Sequence, residues 1–361
     1  MKVSNKVQNL MVVASVLCAG VFANAQGDAY NTPGNILISD QFNNRIIELN
    51  PKDGKIVWSF GDGSSTAGVH SVVAPNDAQR VGNLTLIAGT GAPAGTPTTY
   101  EPNCLNNPCP DNRVFVVNQA GKIVWQYGQS GIGGSGHNQL NTPVQATFLP
   151  SGDVLITDQA NARIIEVNQQ KQIVWQYGTT GVTGTGANQL NNPNSAELLE
   201  NGDILIADEN NNRVIEVDRA KQIVWQYAPG DTTLLNGAAF ASRLANGHTV
   251  ITDSLNNRII EVDYSGNVVF TYVTNTRAGS VASPFPTRAI RLFSGNTLIS
   301  DQYNNQVILV DSKGNLVFSY GQIGVVGNGA GQLNAPYDAK IVGSYVGITP
   351  PFRNFFVFGG K

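Results

Sequence analysis

The sequence is short of charge, and this shortage excludes proteins that work through a strongly charged surface. Only 13% of its 361 residues are Asp, Glu, Lys or Arg, and the formal net charge is −3. Nucleic-acid binding needs a basic footprint, so no nucleic-acid partner is expected. Beyond the N-terminus, no apolar run approaches the roughly 20 residues that cross a bilayer as a helix. No membrane span is therefore expected there.

The first 25 residues differ from the rest and predict a signal peptide. Lys2 and Lys6 give a positive start, an apolar stretch follows over 10–22, and the small residues of 23–25 suit a signal peptidase. The stretch is too short to span a bilayer comfortably, which favours cleavage over a membrane anchor. We therefore assign 1–25 to a signal peptide and expect a periplasmic or secreted protein.

Cysteine is scarce, and only Cys104 and Cys109 remain after the signal peptide. Export to an oxidising compartment favours a disulfide between them, with two free thiols as the alternative. Motifs of common enzymes are missing as well. The chain has no Gly-x-Ser-x-Gly elbow, no phosphate-binding Walker loop and no dinucleotide fingerprint. The sequence therefore assigns no catalytic residue and no cofactor.

Glycine, in contrast, is abundant, and a short phrase repeats along the chain. Glycine contributes 39 residues, which is typical of a protein rich in turns. An Ile-Val-Trp-like phrase occurs six times, mostly 45 to 50 residues apart, starting at Ile56, Ile123, Ile173, Ile223, Val268 and Leu316. That spacing is typical of one four-stranded propeller blade per repeat. The Trp residues of the first four copies, at 58, 125, 175 and 225, are predicted to pack between blades.

A second phrase, Asp-x-x-Asn-x-Arg, lies upstream of most copies. It starts at Asp40, Asp158, Asp208, Asp253 and Asp301, and the last copy ends in Gln306 instead of Arg. Because a ligand site would not recur in almost every repeat, we interpret the Asp and Asn as turn caps and the Arg as their partner. One repeat then divides into four strands, predicted at 195–199, 204–207, 214–217 and 222–227.

Three repeats open with a third phrase, Gln-Leu-Asn-x-Pro, at 139–143, 189–193 and 332–336. Together with the Asp-x-x-Asn-x-Arg turn, this pattern resembles the NHL-repeat family of β-propellers. The resemblance covers nearly all of the chain after the signal peptide and implies a propeller fold. NHL propellers include binding scaffolds and a few lyases, so the resemblance does not imply one function.

The ends of the repeat array predict how the ring closes. The chain enters at 35–38 with a second strand that lacks a first strand, and 333–342 supplies a first strand that lacks a second. The C-terminal strand should therefore complete the first blade. We predict an all-β, six-bladed β-propeller of four-stranded blades over 26–342, with a tail at 343–361 packed on it.

The second blade departs from the repeat. Gly89 stands where Asp is expected, and about nineteen extra residues, rich in proline, separate it from Arg113. Such long loops in compact domains are usually functional or disordered, and the Cys104–Cys109 pair favours order. The insertion is expected on the face that also carries the Asp-x-x-Asn-x-Arg turns and the blade-to-blade connections, which we call the top face.

Two groups of residues are candidates for a site. His70 and His137 fall on the top face but His248 on the opposite one, so a three-His metal centre is not expected and no metal is assigned. The first strand of each blade lines the central channel, and its unlike polar residues are the candidate binding set, namely Asp77, Gln145, Glu197, Arg288, Asp338 and Lys340. Internal ion pairs in a solvated channel are the alternative interpretation.

Two functions fit these features. The leading hypothesis is a non-catalytic binding module, expected to be a monomer, that holds a protein or a polar small molecule on its top face. The alternative is a propeller enzyme of the lyase or hydrolase type with a polar site at the central channel.

Overall fold

The computed structural model of this chain describes residues 30–105 and 108–344. The predicted signal peptide and all but two residues of the predicted tail lie outside these ranges. In the described part, 24 strands form six four-stranded antiparallel sheets, the blades of a β-propeller. This confirms the all-β, six-bladed prediction.

Each blade is an antiparallel meander whose first strand contacts the first strands of its neighbours around the axis. Blades 2 to 6 take four consecutive strands each, and blade 1 combines the last strand of the chain with the first three. In chain order the strands are β1 (Ile36–Asp40), β2 (Arg45–Asn50), β3 (Lys55–Phe60), β4 (Pro75–Val81), β5 (Leu84–Ala92), β6 (Cys109–Asn118), β7 (Ile123–Gly128), β8 (Pro143–Phe148), β9 (Val154–Asp158), β10 (Arg163–Val167), β11 (Ile173–Tyr177), β12 (Pro193–Leu198), β13 (Ile204–Asp208), β14 (Arg213–Val217), β15 (Ile223–Tyr227), β16 (Ala238–Arg243), β17 (Thr249–Asp253), β18 (Arg258–Val262), β19 (Val268–Val273), β20 (Arg288–Arg291), β21 (Thr297–Asp301), β22 (Gln306–Val310), β23 (Leu316–Tyr320) and β24 (Pro336–Ile341).

The four strands predicted for blade 4 agree with β12–β15 to within two residues at each end. Short 3₁₀ turns join the second and third strands of five blades, at Gln41–Asn43, Gln159–Asn161, Glu209–Asn211, Ser254–Asn256 and Gln302–Asn304, and a sixth lies at Thr274–Thr276. No helix in the described ranges is long and apolar enough to cross a membrane.

The ring closes as predicted, through the C-terminal strand. Strand β24 pairs antiparallel with β1, with Ala339 opposite Ile38. Two backbone bonds extend this pairing, from the Gly34 N–H to the Val342 oxygen at 2.9 Å and from the Val342 N–H to the Asn35 oxygen at 2.8 Å. The first blade therefore consists of segments about 300 residues apart in sequence, which join the two ends of the described chain.

Packing between blades forms the core. One buried cluster joins Leu86 and Val114 of blade 2 to Ile156 and Ile165 of blade 3, and similar clusters lie between other blades. The Trp residues bridge the same boundaries, because each indole N–H donates to a carbonyl oxygen in the next blade. The Trp225 Nε1 donates to the Tyr264 oxygen at 2.9 Å, for example. The prediction of inter-blade packing is confirmed.

The Asp-x-x-Asn-x-Arg turns hold the top face together. The Asp158 carboxylate is buried and accepts hydrogen bonds from the Asn141 backbone N–H at 2.8 Å, from Asn161 Nδ2 at 2.7 Å and from Arg163 Nε at 2.7 Å. The residue before each Arg has a positive φ, for example 49° at Asn212, which explains the frequent Asn there. The Asp carboxylate thus has three hydrogen-bond donors within its own turn and the adjacent connection, which supports the structural role.

Candidate functional site

Blade 2 keeps the Asp–Arg contact of the repeat's turn, but its Asp comes from a different position in the sequence. Gly89 replaces the usual Asp, and a Cβ atom at this position would lie 2.6 Å from Cγ of Asp111. The Asp111 carboxylate accepts the Val73 backbone N–H at 2.7 Å and pairs with Arg113, as Asp158 does with Asn141 and Arg163. The spacing of the repeat does not predict this exchange, although an Asp two residues before the Arg is its visible signal.

The insertion is shorter as a loop than predicted, because part of it extends the β5–β6 hairpin to Ala92 and Cys109. The predicted disulfide between Cys104 and Cys109 is present, with the two Cα atoms 5.8 Å apart. The remaining loop covers 93–108, of which 106 and 107 are outside the described residues.

Contacts with blade 1 and with the last connection hold this loop in place. The Glu101 side chain is buried and accepts hydrogen bonds from Asn44 Nδ2 at 2.9 Å and from Ser65. Burial of Glu101 raises the pKa of its carboxyl. The Asn334 Nδ2 donates to the Tyr100 backbone oxygen at 2.7 Å. The insertion therefore contacts both segments that meet where the ring closes, through Asn44 of blade 1 and Asn334 of the connection before β24.

Tyr100 brings the insertion onto an aromatic cluster. Its ring centroid lies 5.9 Å from that of Phe42 in blade 1 and 5.2 Å from that of Tyr303 in blade 6. Phe285 in turn lies 6.1 Å from Tyr303. Rings at these separations pack favourably, so one side of the inserted loop is anchored by apolar contacts.

An open cleft lies beside this anchored loop, and we call it the insertion cleft. Its volume is about 380 Å³. Three segments form it, namely the inserted loop, the start of blade 1 with its outgoing connection, and the connection from blade 6 to blade 1. The lining residues are Phe42, Asn43, Asp62, Gly63, Thr99, Pro102, Asn103, Val326, Gly327, Asn328 and Asn334.

The channel residues proposed from the sequence are all buried or nearly so, and three of them come together. Lys340 Nζ donates to Asp77 Oδ1 at 2.6 Å and to Asp338 Oδ2 at 2.5 Å. Burial is the main cause that raises the pKa of Asp338 to about 6, and the repulsion from Asp77 adds to it. These two carboxylates and one ammonium group form a buried ion-pair cluster inside the ring.

Gln145 and Glu197 lie farther round the ring and accept hydrogen bonds from backbone. Gln145 Oε1 accepts the Ala196 N–H at 2.6 Å, and Glu197 Oε2 accepts the Arg243 N–H at 3.2 Å. Burial raises the pKa of Glu197 well above its ordinary value. These side chains satisfy N–H groups on the free edge of the next blade's first strand, which would otherwise be buried without a partner.

Arg288 crosses the channel. Its guanidinium donates to backbone oxygens of Val144 in blade 3 at 3.3 Å and Ala239 in blade 5 at 3.1 Å. The rings of Phe240 and Tyr337 lie 5.2 Å from its Cζ. Arg288 is 1% exposed and makes no ion pair with any described residue. The guanidinium therefore links blade 6 to blades 3 and 5.

The histidines lie apart, as the repeat predicts. His70 and His137 are exposed in connections of the top face, whereas His248 Nδ1 lies 2.7 Å from Glu261 Oε1 on the opposite face. In the described ranges, no three His, Cys, Asp or Glu side chains are grouped as metal ligands would be.

Solved structures share this architecture at low sequence identity. A protein of unknown function from Bacteroides caccae has a TM-score of 0.57 and 15% identity, over 85% of this chain and 98% of that one. Virginiamycin B lyase from Staphylococcus aureus has a TM-score of 0.48 and 13% identity, over 78% of each chain. The likeness to the Bacteroides caccae protein shows the fold alone.

Comparison with curated protein sequences gave no match. A family model described as the outer membrane protein assembly factor BamB matches residues 19–272, well over half of the chain. The chain therefore belongs to this BamB family of β-propeller proteins.

Proposed function

We propose that this protein is an exported binding module that holds a protein or a polar small molecule on its top face, in the insertion cleft. The observation that carries the proposal is the cleft itself. A loop present in one blade is tied down by a disulfide, by Asn44 and by Asn334, and it forms an open cleft of about 380 Å³. Small-molecule sites have volumes of roughly 300–1,000 Å³.

Action outside the cytoplasm is part of this proposal. The Cys104–Cys109 disulfide suits an oxidising compartment, and the family is named for an outer membrane assembly factor. The first 25 residues have the pattern of a signal peptide. The blades with regular turns, similar to NHL repeats, would act as the rigid scaffold that positions the cleft.

The alternative, a lyase or hydrolase with its site in the channel, has less support. An acid or base in catalysis must be able to reach a substrate proton. Asp77 and Asp338 instead both accept hydrogen bonds from Lys340, and Arg288 donates to backbone oxygens in two other blades. The channel residues fit a structural role, whereas Asp62, Asn103 and Asn328 of the cleft are exposed.

The test compares the intact protein with a variant in which residues 94–107 are replaced by a two-residue hairpin turn and Cys109 by Ser. A panel of sugars, amino acids, short peptides and small anions is screened by thermal shift, and hits are measured by calorimetry. We expect a ligand that raises the Tm of the intact protein but not of the loop variant.

The control is Phe293→Ala, which changes an 87% exposed side chain in the turn between β20 and β21, away from the top face. It should bind the ligand as the intact protein does. Circular dichroism of the loop variant must retain the β-sheet spectrum. No ligand from any class, or equal binding by the loop variant, would contradict the proposed function.

A further inference from the structure

The insertion cleft lacks positive charge. No Lys or Arg lines it, and the nearby Arg45 is bound by Asp40 at 2.7 Å and by the Asn328 oxygen at 3.4 Å. Asp62 is the charged residue among the lining residues, and its exposed carboxylate forms no ion pair with any described residue. A phosphate, sulfate or carboxylate ligand would meet this negative charge without a counter-charge, so the lining disfavours anions.

Hydrogen-bonding groups face the cleft from both sides. Thr99 and Asn103 of the inserted loop and Asn328 of the last connection are exposed. Their side chains make no hydrogen bond to other residues in the described part of the chain. A carboxylate accepts, whereas an amide or hydroxyl both donates and accepts. Adjacent hydroxyl groups of a ligand, which also donate and accept, match such a set.

Apolar atoms lie between these polar groups. Pro102 and Val326 line the cleft, with Val326 38% exposed, and the Phe42 ring lies beneath it. Ligand sites of this kind combine apolar walls with a few polar groups that fix the orientation. A sugar ring has the same two characters, because its hydroxyl groups surround faces of C–H bonds.

The walls are held in place before any ligand arrives. Asn43 Nδ2 donates to Asp40 Oδ2 at 2.7 Å and to the Gly327 oxygen at 2.8 Å, which joins the first turn to the last connection. On the other side, Asn103 directly precedes the disulfide at Cys104. A preformed site loses less entropy when it binds.

We propose that the insertion cleft binds a neutral carbohydrate, with Asp62, Asn103 and Asn328 forming hydrogen bonds to its hydroxyl groups. This proposal deepens the proposed function and rests on it. The ligand class is defined by its chemistry, that is, an uncharged, polyhydroxylated ring that presents an apolar face.

The experiment titrates the full-length mature protein with neutral disaccharides and trisaccharides of differing linkage, using calorimetry and saturation-transfer NMR. Inorganic phosphate, glucuronate and spermidine serve as the charged probes. We expect binding of at least one neutral saccharide and none of phosphate or glucuronate. Asn103→Ala and Asn328→Ala should each weaken the saccharide by about 3- to 10-fold, the value of one hydrogen bond.

The matched control is Asn246→Ala, an exposed asparagine in the turn between β16 and β17. It should leave the affinity unchanged. Asp62→Asn keeps the shape but removes the charge, and it should weaken binding of the saccharide. Because Asn carries no positive charge, the variant should gain no affinity for phosphate. Each titration is repeated with EDTA, because direct recognition predicts no effect of chelation.

The outcomes separate the two proposals. Binding of only an anion, an amine or a peptide in the cleft would overturn the carbohydrate proposal and leave the proposed function standing. Loss of saccharide binding in EDTA would overturn direct recognition by these side chains. Binding that survives all three cleft substitutions would overturn the site, and absence of every ligand would overturn both proposals.

Discussion

The Asp111 carboxylate occupies the space that a side chain at Gly89 would fill. A Cβ atom on Gly89 would lie 2.6 Å from Asp111 Cγ, and Asp111 makes the same kind of bonds, to Val73 and Arg113, as the Asp of the regular turns. The carboxylate is therefore kept at this point in space although the residue that carries it has moved along the chain.

This relationship predicts strong coupling between positions 89 and 111. Gly89→Asp alone would bury a second carboxylate beside the first, and we expect a loss of about 3 kcal/mol or more in the free energy of unfolding. Adding Asp111→Gly restores the arrangement of the other blades and should recover most of that loss. Urea denaturation of both single variants and the double variant measures this. Additive effects would contradict the exchange.

Arg288 is predicted to be irreplaceable by lysine. Its guanidinium donates to oxygens in three other blades, with Asn194 Oδ1 at 3.3 Å as the acceptor in blade 4. Lysine has a smaller donor group that cannot reach these acceptors together, so Arg288→Lys should lower the free energy of unfolding by about 2 kcal/mol or more. Denaturant titration checks this, with Arg219→Lys at the more exposed pair to Glu166 as the control. Equal effects would contradict the bridging role.

Stability should be greater at mildly acidic pH than at neutral pH. Burial raises the pKa of Asp301 and of Asp338 to about 6, above the value near 4 of an unfolded aspartate. The folded state therefore binds more protons between about pH 4 and pH 6, so the stability from these groups is present at low pH and lost as pH rises through 6. Urea denaturation from pH 4.5 to 7.5 should show this decline.

The matching variant is Asp338→Asn, which no longer titrates and should flatten the decline. A stability that instead rises steadily from pH 4.5 to 7.5 would show that the buried carboxyls are not protonated in this range.

The disulfide is predicted to act on the inserted loop more than on the ring. It closes a short loop, so replacing Cys104 and Cys109 by Ser should cost only about 2 kcal/mol of global stability. Cleavage of the 93–108 segment by a protease should become much faster in this variant, while the blades stay intact. Mass spectrometry of timed digests reads out the cleavage site. Equal cleavage rates would contradict the anchoring role.

Much of the fold could be predicted because the same sequence pattern recurs in several blades and predicts the same strands each time. The Ile-Val-Trp phrase, the Asp-x-x-Asn-x-Arg turn and the unpaired strands at 35–38 and 333–342 predicted the blade number, the strands and the ring closure. Local chemistry was enough here, since each turn bonds mainly within itself and to the adjacent connection.

Exceptions to the repeat were harder to predict, because the compensating residue comes from elsewhere in the chain. In blade 6, Gln306 stands in the place of Arg, and Arg277 from the preceding connection donates to Asp301 Oδ2 at 2.5 Å and to Gln306 Oε1 at 2.7 Å. Neither this pairing nor the Gly89–Asp111 exchange follows from the spacing of the phrases.

The ring, its six blades and the position of the large insertion follow from the sequence, since these depend on periodic patterns that are local along the chain. The contacts of the insertion and of the channel residues follow only from the folded ring. Tyr100 meets Tyr303, and Lys340 meets Asp77, across more than 200 residues. Only closure of the ring brings such residues together, because side-chain bonds depend on distances in space that no spacing along the chain reports.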